Sequence, residues 1–174
     1  MKLVGLMLLT VFLASCGASI AVDYDKEKDF SEFTSYQFYT DIDSGLSQLD
    51  DNRIIKAIDS SLQKRGFQKT NSPRFYVNFY AEEVVSNSSN TLGVGVGGGG
   101  GNVGVGVSGG IPIGGRVVNQ ELTIDLVDSS MGQSLAWQVV IEGELKEKAS
   151  PEQKEAYYFS VIDKALQKFP PKKK

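Results

Sequence analysis

The sequence predicts an α+β domain: a mostly antiparallel sheet with two amphipathic helices packed on one face, in the order β-β-α-β-β-β-α, with a glycine-rich hairpin insert. Three observations carry this prediction. Five short runs alternate apolar and polar residues with the period of a strand, two longer segments switch to the period of a helix, and 13 of the chain's 19 glycines crowd into residues 93–115. A sheet with one apolar face needs a cover, and two amphipathic helices supply it.

The first two strands are Ser19-Ile20-Ala21-Val22-Asp23-Tyr24 and Thr34-Ser35-Tyr36-Gln37-Phe38-Tyr39, rich in β-branched and aromatic residues and separated by a charged loop at residues 25–31. A polar, acidic stretch at residues 41–51 leads into the first helix at about residues 51–65. Ile54, Ile55, Ile58 and Leu62 share one face of it, and Gly66 is its left-handed cap. The third strand follows Pro73, with Phe75, Val77 and Phe79 toward the core and Asn78 and Glu82 toward water. In the fourth, Leu122, Ile124 and Leu126 alternate with Thr123 and Asp125. A turn at Asp128-Ser129-Ser130-Met131-Gly132 leads to the fifth, where Leu135, Trp137, Val139 and Ile141 should point inward. The last helix has the clearest start. Ser150 caps it, Pro151 takes its first position, and Gln153 completes a capping box. Its apolar stripe is Tyr158, Val161, Ile162, Ala165, Leu166 and Phe169, and Pro170-Pro171 ends it.

Between the third and fourth strands lies a glycine-valine insert at residues 91–116. Val94, Val96, Val103, Val105 and Val107 alternate with glycine, and the central glycines suit a reversal of the chain. Three readings stay open: a passive linker within a hairpin, an ordered ribbon extending the sheet, and a segment that docks on a membrane or a partner strand. The valine runs are too short for transmembrane strands, which need about 9–11 residues. The glycine run also lacks the Lys-Ser/Thr ending of a phosphate-binding loop.

The N-terminus has the order of an export signal: Met1-Lys2, an apolar run at residues 3–13, then Ala14-Ser15-Cys16-Gly17. The apolar run is shorter than the roughly 20 residues a permanent membrane helix needs. Leu13-Ala14-Ser15-Cys16 resembles the bacterial lipobox. That resemblance implies a diacylglycerol on the Cys16 sulfur, cleavage before Cys16 and acylation of the new amino group. Cys16 is the lipidation site expected here, and long acyl chains such as palmitate at about 0.8 kcal/mol per buried methylene would hold the protein to its membrane. In lipoproteins of enteric bacteria an Asp after the modified Cys retains the protein at the inner membrane. Gly17 stands there instead, so the expected location is the outer membrane, facing the periplasm. The expected organisation is a signal peptide at 1–15, a lipidated tether at 16–18, one domain at 19–170 and a basic tail at 171–174.

Composition narrows the chemistry. The chain has 174 residues, a formal net charge of −3, no histidine and one cysteine. A net negative field disfavours nucleic acid as a partner. A lone cysteine leaves no internal disulfide or redox pair, and the missing histidine removes the commonest general base and metal ligand. Asp41-Ile42-Asp43-Ser44-Gly45 opens like a calcium loop, but its glycine comes one position early and Asn52 stands where the bidentate glutamate belongs. Glu82 and Glu83 should face opposite sides of a strand, whereas Glu142 and Glu144 share a solvent side. Ser129-Ser130 reads as a turn. Neither a catalytic set, a cofactor site nor a metal site is expected, and the Pro170-Pro171-Lys172-Lys173-Lys174 end reads as a solvated tail.

Several motifs in order resemble the lipoprotein family called domain of unknown function 4136 (DUF4136). They are Val22-Asp23-Tyr24-Asp25 with Asp29-Phe30, Tyr36-Gln37-Phe38-Tyr39, the helix end at Arg65-Gly66-Phe67, the glycine-rich insert, Leu122-Thr123-Ile124-Asp125-Leu126-Val127-Asp128 followed by Gly132 and Trp137, and Lys168-Phe169-Pro170-Pro171. The resemblance spans nearly all of the chain after Cys16. It implies a lipobox, a compact α/β fold and no assigned activity. The expected function is a membrane-anchored envelope lipoprotein, a non-catalytic binding or scaffolding module with an envelope protein as its partner. The alternative is an envelope hydrolase that uses carboxylates only.

Overall fold

The computed structural model describes residues 18–87, 91–92, 111–112, 115–130 and 132–172. The signal segment, Cys16 and most of the glycine-valine insert lie outside the described residues. A six-stranded sheet forms the frame: β1 (Ser19–Tyr24), β2 (Ser35–Phe38), β3 (Gln68–Lys69), β4 (Phe75–Asn87), β7 (Arg116–Asp128) and β8 (Leu135–Lys146), in the spatial order β1-β8-β7-β4-β2-β3. A separate antiparallel pair, β5 (Thr91–Leu92) and β6 (Ile111–Pro112), brings the two ends of the insert side by side. Helices α1 (Gln48–Lys64) and α2 (Pro151–Leu166) complete the fold. The long elements keep the predicted order, and the additions are two-residue strands too short to show a period.

The central three-strand meander is antiparallel. β4 pairs with β7 from Phe75↔Asp128 to Asn87↔Arg116, β7 pairs with β8, and β8 pairs with β1. Two pairings are parallel: β2 lies beside β4 with Tyr36 opposite Phe75, and beside β3. Because β2 and β4 run the same way, α1 must carry the chain back across the sheet between them.

Helix α1 begins earlier than its apolar stripe suggests. The Ser47 hydroxyl accepts from the Asp50 backbone N–H, so the first turn is polar and the stripe starts one turn later. Its far end is a complete Schellman closure: Gly66 at φ +92° donates to the Gln63 carbonyl and Phe67 donates to the Leu62 carbonyl. Helix α2 starts at the predicted capping box of Ser150 and Gln153. The helices lie alongside each other. Lys154 reaches Asp50 at 2.8 Å near their starts, and Arg65 reaches Asp163 at 2.8 Å near their ends.

Between helices and sheet sits a core dense in aromatic rings. Trp137, Tyr36, Tyr158, Phe75 and Phe79 are buried, and Phe169 meets Trp137, Phe75 and Phe67 at centroid distances of 5.3–5.6 Å. Phe30 and Phe33, in a short 3-10 turn at Phe30–Glu32 and just after it, also enter this core. One inward assignment is corrected. Leu135 is 48% exposed, because the β7–β8 register shifts between Leu126 and Val127: Trp137 stands opposite Leu126, but Leu135 stands opposite Val127. The bulge inserts Ala136, which is buried instead and reverses the side on which Leu135 falls.

Candidate functional site

At the end of β1 the chain leaves the sheet through residues 25–29 and turns into the core at Phe30. The C-terminal Pro170-Pro171-Lys172 segment returns beside it. Between them opens a cleft of about 630 Å³ lined by Tyr24, Lys26, Lys28, Phe30, Ser31, Pro170, Pro171 and Lys172. Tyr24 and Phe30 meet edge to face at 6.0 Å and form the apolar wall, and Phe30 is braced from behind by Phe169 at 5.9 Å. Three ammonium groups surround that wall. Lys28 is committed to Asp128 at 2.9 Å, while Lys26 and Lys172 have no ion-pair partner among the described residues.

Asp128 holds Lys28, one of the residues that line the cleft. Its side chain is 2% exposed and receives Lys28, Arg74 and the Ser130 backbone N–H. Burial alone would raise its carboxyl pKa, but these donors outweigh burial and hold it well below the usual carboxylate range. Arg74 also pairs with Glu32 at 3.0 Å and lies over the Phe33 ring, so the 3-10 turn is clamped to the β7–β8 turn. Ser129, at that turn, donates to the Pro73 and Arg74 carbonyls, a structural use of its hydroxyl.

The carboxylates weighed from sequence fall elsewhere. Asp41 and Asp43 are exposed in a loop sewn to β4, where Ala81 donates to the Ser44 carbonyl at 2.8 Å. Glu83 accepts from Gln120, which also reaches the Tyr158 hydroxyl at 3.0 Å on the helix side of the sheet. Glu82 takes the other face, and the strand registers place Glu82, Glu121 and Glu142 side by side across β4, β7 and β8. This row needs three strands from distant parts of the chain, so spacing gave no sign of Glu121. Among the described residues no three histidine, cysteine, aspartate or glutamate side chains are grouped to hold a metal ion. Asp125 stands between these regions, its carboxyl pKa raised by burial and only partly lowered by the Gln138 amide. The cleft itself was missed as well: the charged loop at residues 25–31 was visible, but not its meeting with Lys172.

These features define a small α+β module with helices on one sheet face and a basic, aromatic-walled cleft at one end. The chain belongs to the family described as domain of unknown function (DUF4136), whose model matches residues 20–171. Among curated proteins no sequence match is found. Solved structures share the fold at low identity. A PDZ domain protein from Parabacteroides distasonis superposes with a TM-score of 0.55 at 16% identity, over 90% of this chain and 36% of that one. This chain thus spans about a third of that protein's length. A PelC dodecamer from Paraburkholderia phytofirmans gives a TM-score of 0.52 at 12% identity, over 90% of this chain and all (100%) of that one. A DUF4136 family protein from Bacteroides thetaiotaomicron gives 0.48 at 14% identity, over 88% and 96%.

Proposed function

We propose that this protein is a lipid-anchored, non-catalytic binding module of the bacterial envelope, held at the outer membrane by Cys16 and facing the periplasm. The cleft between β1 and the C-terminal prolines holds its partner. One observation carries the reading: ammonium groups of Lys26 and Lys172, without ion-pair partners among the described residues, stand beside the Tyr24–Phe30 wall in a concave surface. Such a lining suits an anionic group attached to an apolar or sugar-ring body. None of the described lining residues is a carboxylate, which favours this reading over a carboxylate hydrolase at the same place. A photo-crosslinking residue placed at Ser31 in living cells tests it. The expected result is a reproducible envelope adduct that disappears with Lys26→Glu plus Lys172→Glu. Turnover of an envelope substrate abolished by one carboxylate substitution would instead establish the hydrolase.

Self-association is the second reading. Among the described residues no strand pairs with the outer edge of β1, and the Paraburkholderia protein of this fold is a dodecamer. Light scattering of the folded domain across concentrations distinguishes a monomer from a dodecamer.

A further inference from the structure

Resting on the Cys16 anchor just proposed, we infer that the tip of the β4–β7–β8 ribbon, carrying Val84, Val85, Lys146 and Lys148, is a contact site for the surface of the bilayer that holds the lipid. The strand registers set the geometry. Ser19 pairs with Glu142, Glu142 with Glu121 and Glu121 with Glu82, so the first residue of β1 is level with Glu82 on β4. β4 runs antiparallel to β7, and β7 runs the same way as β1 because both flank β8 antiparallel. The end from which the tether leaves is therefore the end toward which β4 extends. Cys16 is three residues from Ser19, a reach of at most about 10 Å. Val85 is three residues beyond Glu82, also about 10 Å of strand, although sheet twist inclines it to β1. The tether is thus too short to hold the domain clear of the membrane by more than the ribbon's own projection.

The chemistry of the tip is zoned to match. Val84 and Val85 point to opposite faces of β4 and are 65% and 45% exposed, so neither face is covered there by the described residues. Leu145 stands level with Val85, and Lys146 level with Ser86. Lys146 and Lys148 are exposed and have no ion-pair partner among the described residues; Glu144 stands level with Val84, Glu147 is paired with Arg116 at 3.1 Å, and the carboxylates of Glu82, Glu121 and Glu142 lie further back. The sequence has no ionisable side chain between Glu83 and Arg116. Exposed apolar residues flanked by free ammonium groups suit an interface with anionic headgroups, and the acidic band behind them opposes closer approach.

The test uses the mature lipidated protein reconstituted in vesicles of phosphatidylethanolamine and phosphatidylglycerol. Its one native cysteine is acylated, so Val85→Cys takes a single environment-sensitive fluorophore, and Leu135→Cys at the opposite end of the sheet serves as the reference. Native emission from Trp137 confirms that each variant is folded. We expect the probe at 85 to shift to the blue and be quenched by spin-labelled lipid, while the probe at 135 stays as in water. Lys146→Glu with Lys148→Glu should weaken the quenching on anionic vesicles. A water-like, unquenched probe at 85 on protein bearing its acyl mass overturns this inference and leaves the anchor standing. An intact mass showing Cys16 without lipid overturns the anchor and this inference together.

Discussion

At the residue scale, Trp137 shows how much one side chain carries. It is fully buried, and Phe169 meets it at 5.4 Å and 61°. Its indole N–H has no hydrogen-bond partner among the described residues, so its contribution comes from packing. Trp137→Ala should cost about 3–5 kcal/mol in denaturant unfolding, and Trp137→Phe much less, because the ring volume is largely kept and an orphaned donor is removed. Equal losses for the two variants would show that the N–H is satisfied in solution. Asp128 makes the complementary case for charge. Its carboxyl has a lower pKa in the folded than in the unfolded chain, so it adds stability above the unfolded value near 4, and that stability is lost as pH falls through the folded value. Asp128→Asn should therefore destabilise the domain at pH 7 by about 2–3 kcal/mol, with Lys28 and Arg74 left unpaired. The gap from wild type should narrow as urea melts are taken from pH 5 toward pH 2. A gap independent of pH would mean that packing, not charge, accounts for the loss.

At the scale of elements, periodicity identified the five long strands and both helices, but not where bulges and crossovers fall. Leu135 reads as inward by simple alternation, and the bulge at Ala136 turns it out. Leu135→Ser should accordingly change stability by less than about 0.5 kcal/mol, whereas Val139→Ser, two ladder steps inside the core, should cost several times that. Comparable losses at both positions would contradict the bulged register. The insert is an element of another kind. Its ends already meet as β5 and β6, and the core residues among the described ones lie outside it. Replacing residues 93–110 by a short Gly-Ser turn should leave the melting temperature nearly unchanged, since each doubling of loop length costs only about 0.6 kcal/mol. Loss of cooperative unfolding in that variant would show that the insert belongs to the structural core.

At the scale of the whole molecule, the proposed anchor and the cleft fall at opposite ends of β1. β1 starts beside the acidic row and ends at Tyr24 in the cleft wall, so with the proposed Cys16 anchor this strand would set the distance between membrane and cleft. Among the described residues no helix is long and apolar enough to cross a membrane. On the proposed lipid anchor, Cys16→Ala should move the protein from the membrane to the soluble fraction and abolish palmitate labelling. Persistence in the membrane pellet at high salt, without label, would show that another contact holds it.

The sequence by itself determined the α+β class, the order of the long elements, the N-terminal capping box of α2, the glycine closure of α1 and the family resemblance. These are local signals, written in apolar spacing and in residues that only a cap or a turn needs. Helix α2 itself stops at Leu166, short of the Pro170-Pro171 end that the sequence predicts. Tertiary structure alone decided that β1 and β2 occupy opposite sides of the sheet, that Glu121 stands between Glu82 and Glu142, and that Lys172 closes a cleft begun by Tyr24 and Lys26. Each of these joins residues that are far apart in the chain. Strand pairing and helix docking bring them together through burial of the whole core, a global free-energy balance for which no short stretch of residues carries a sign.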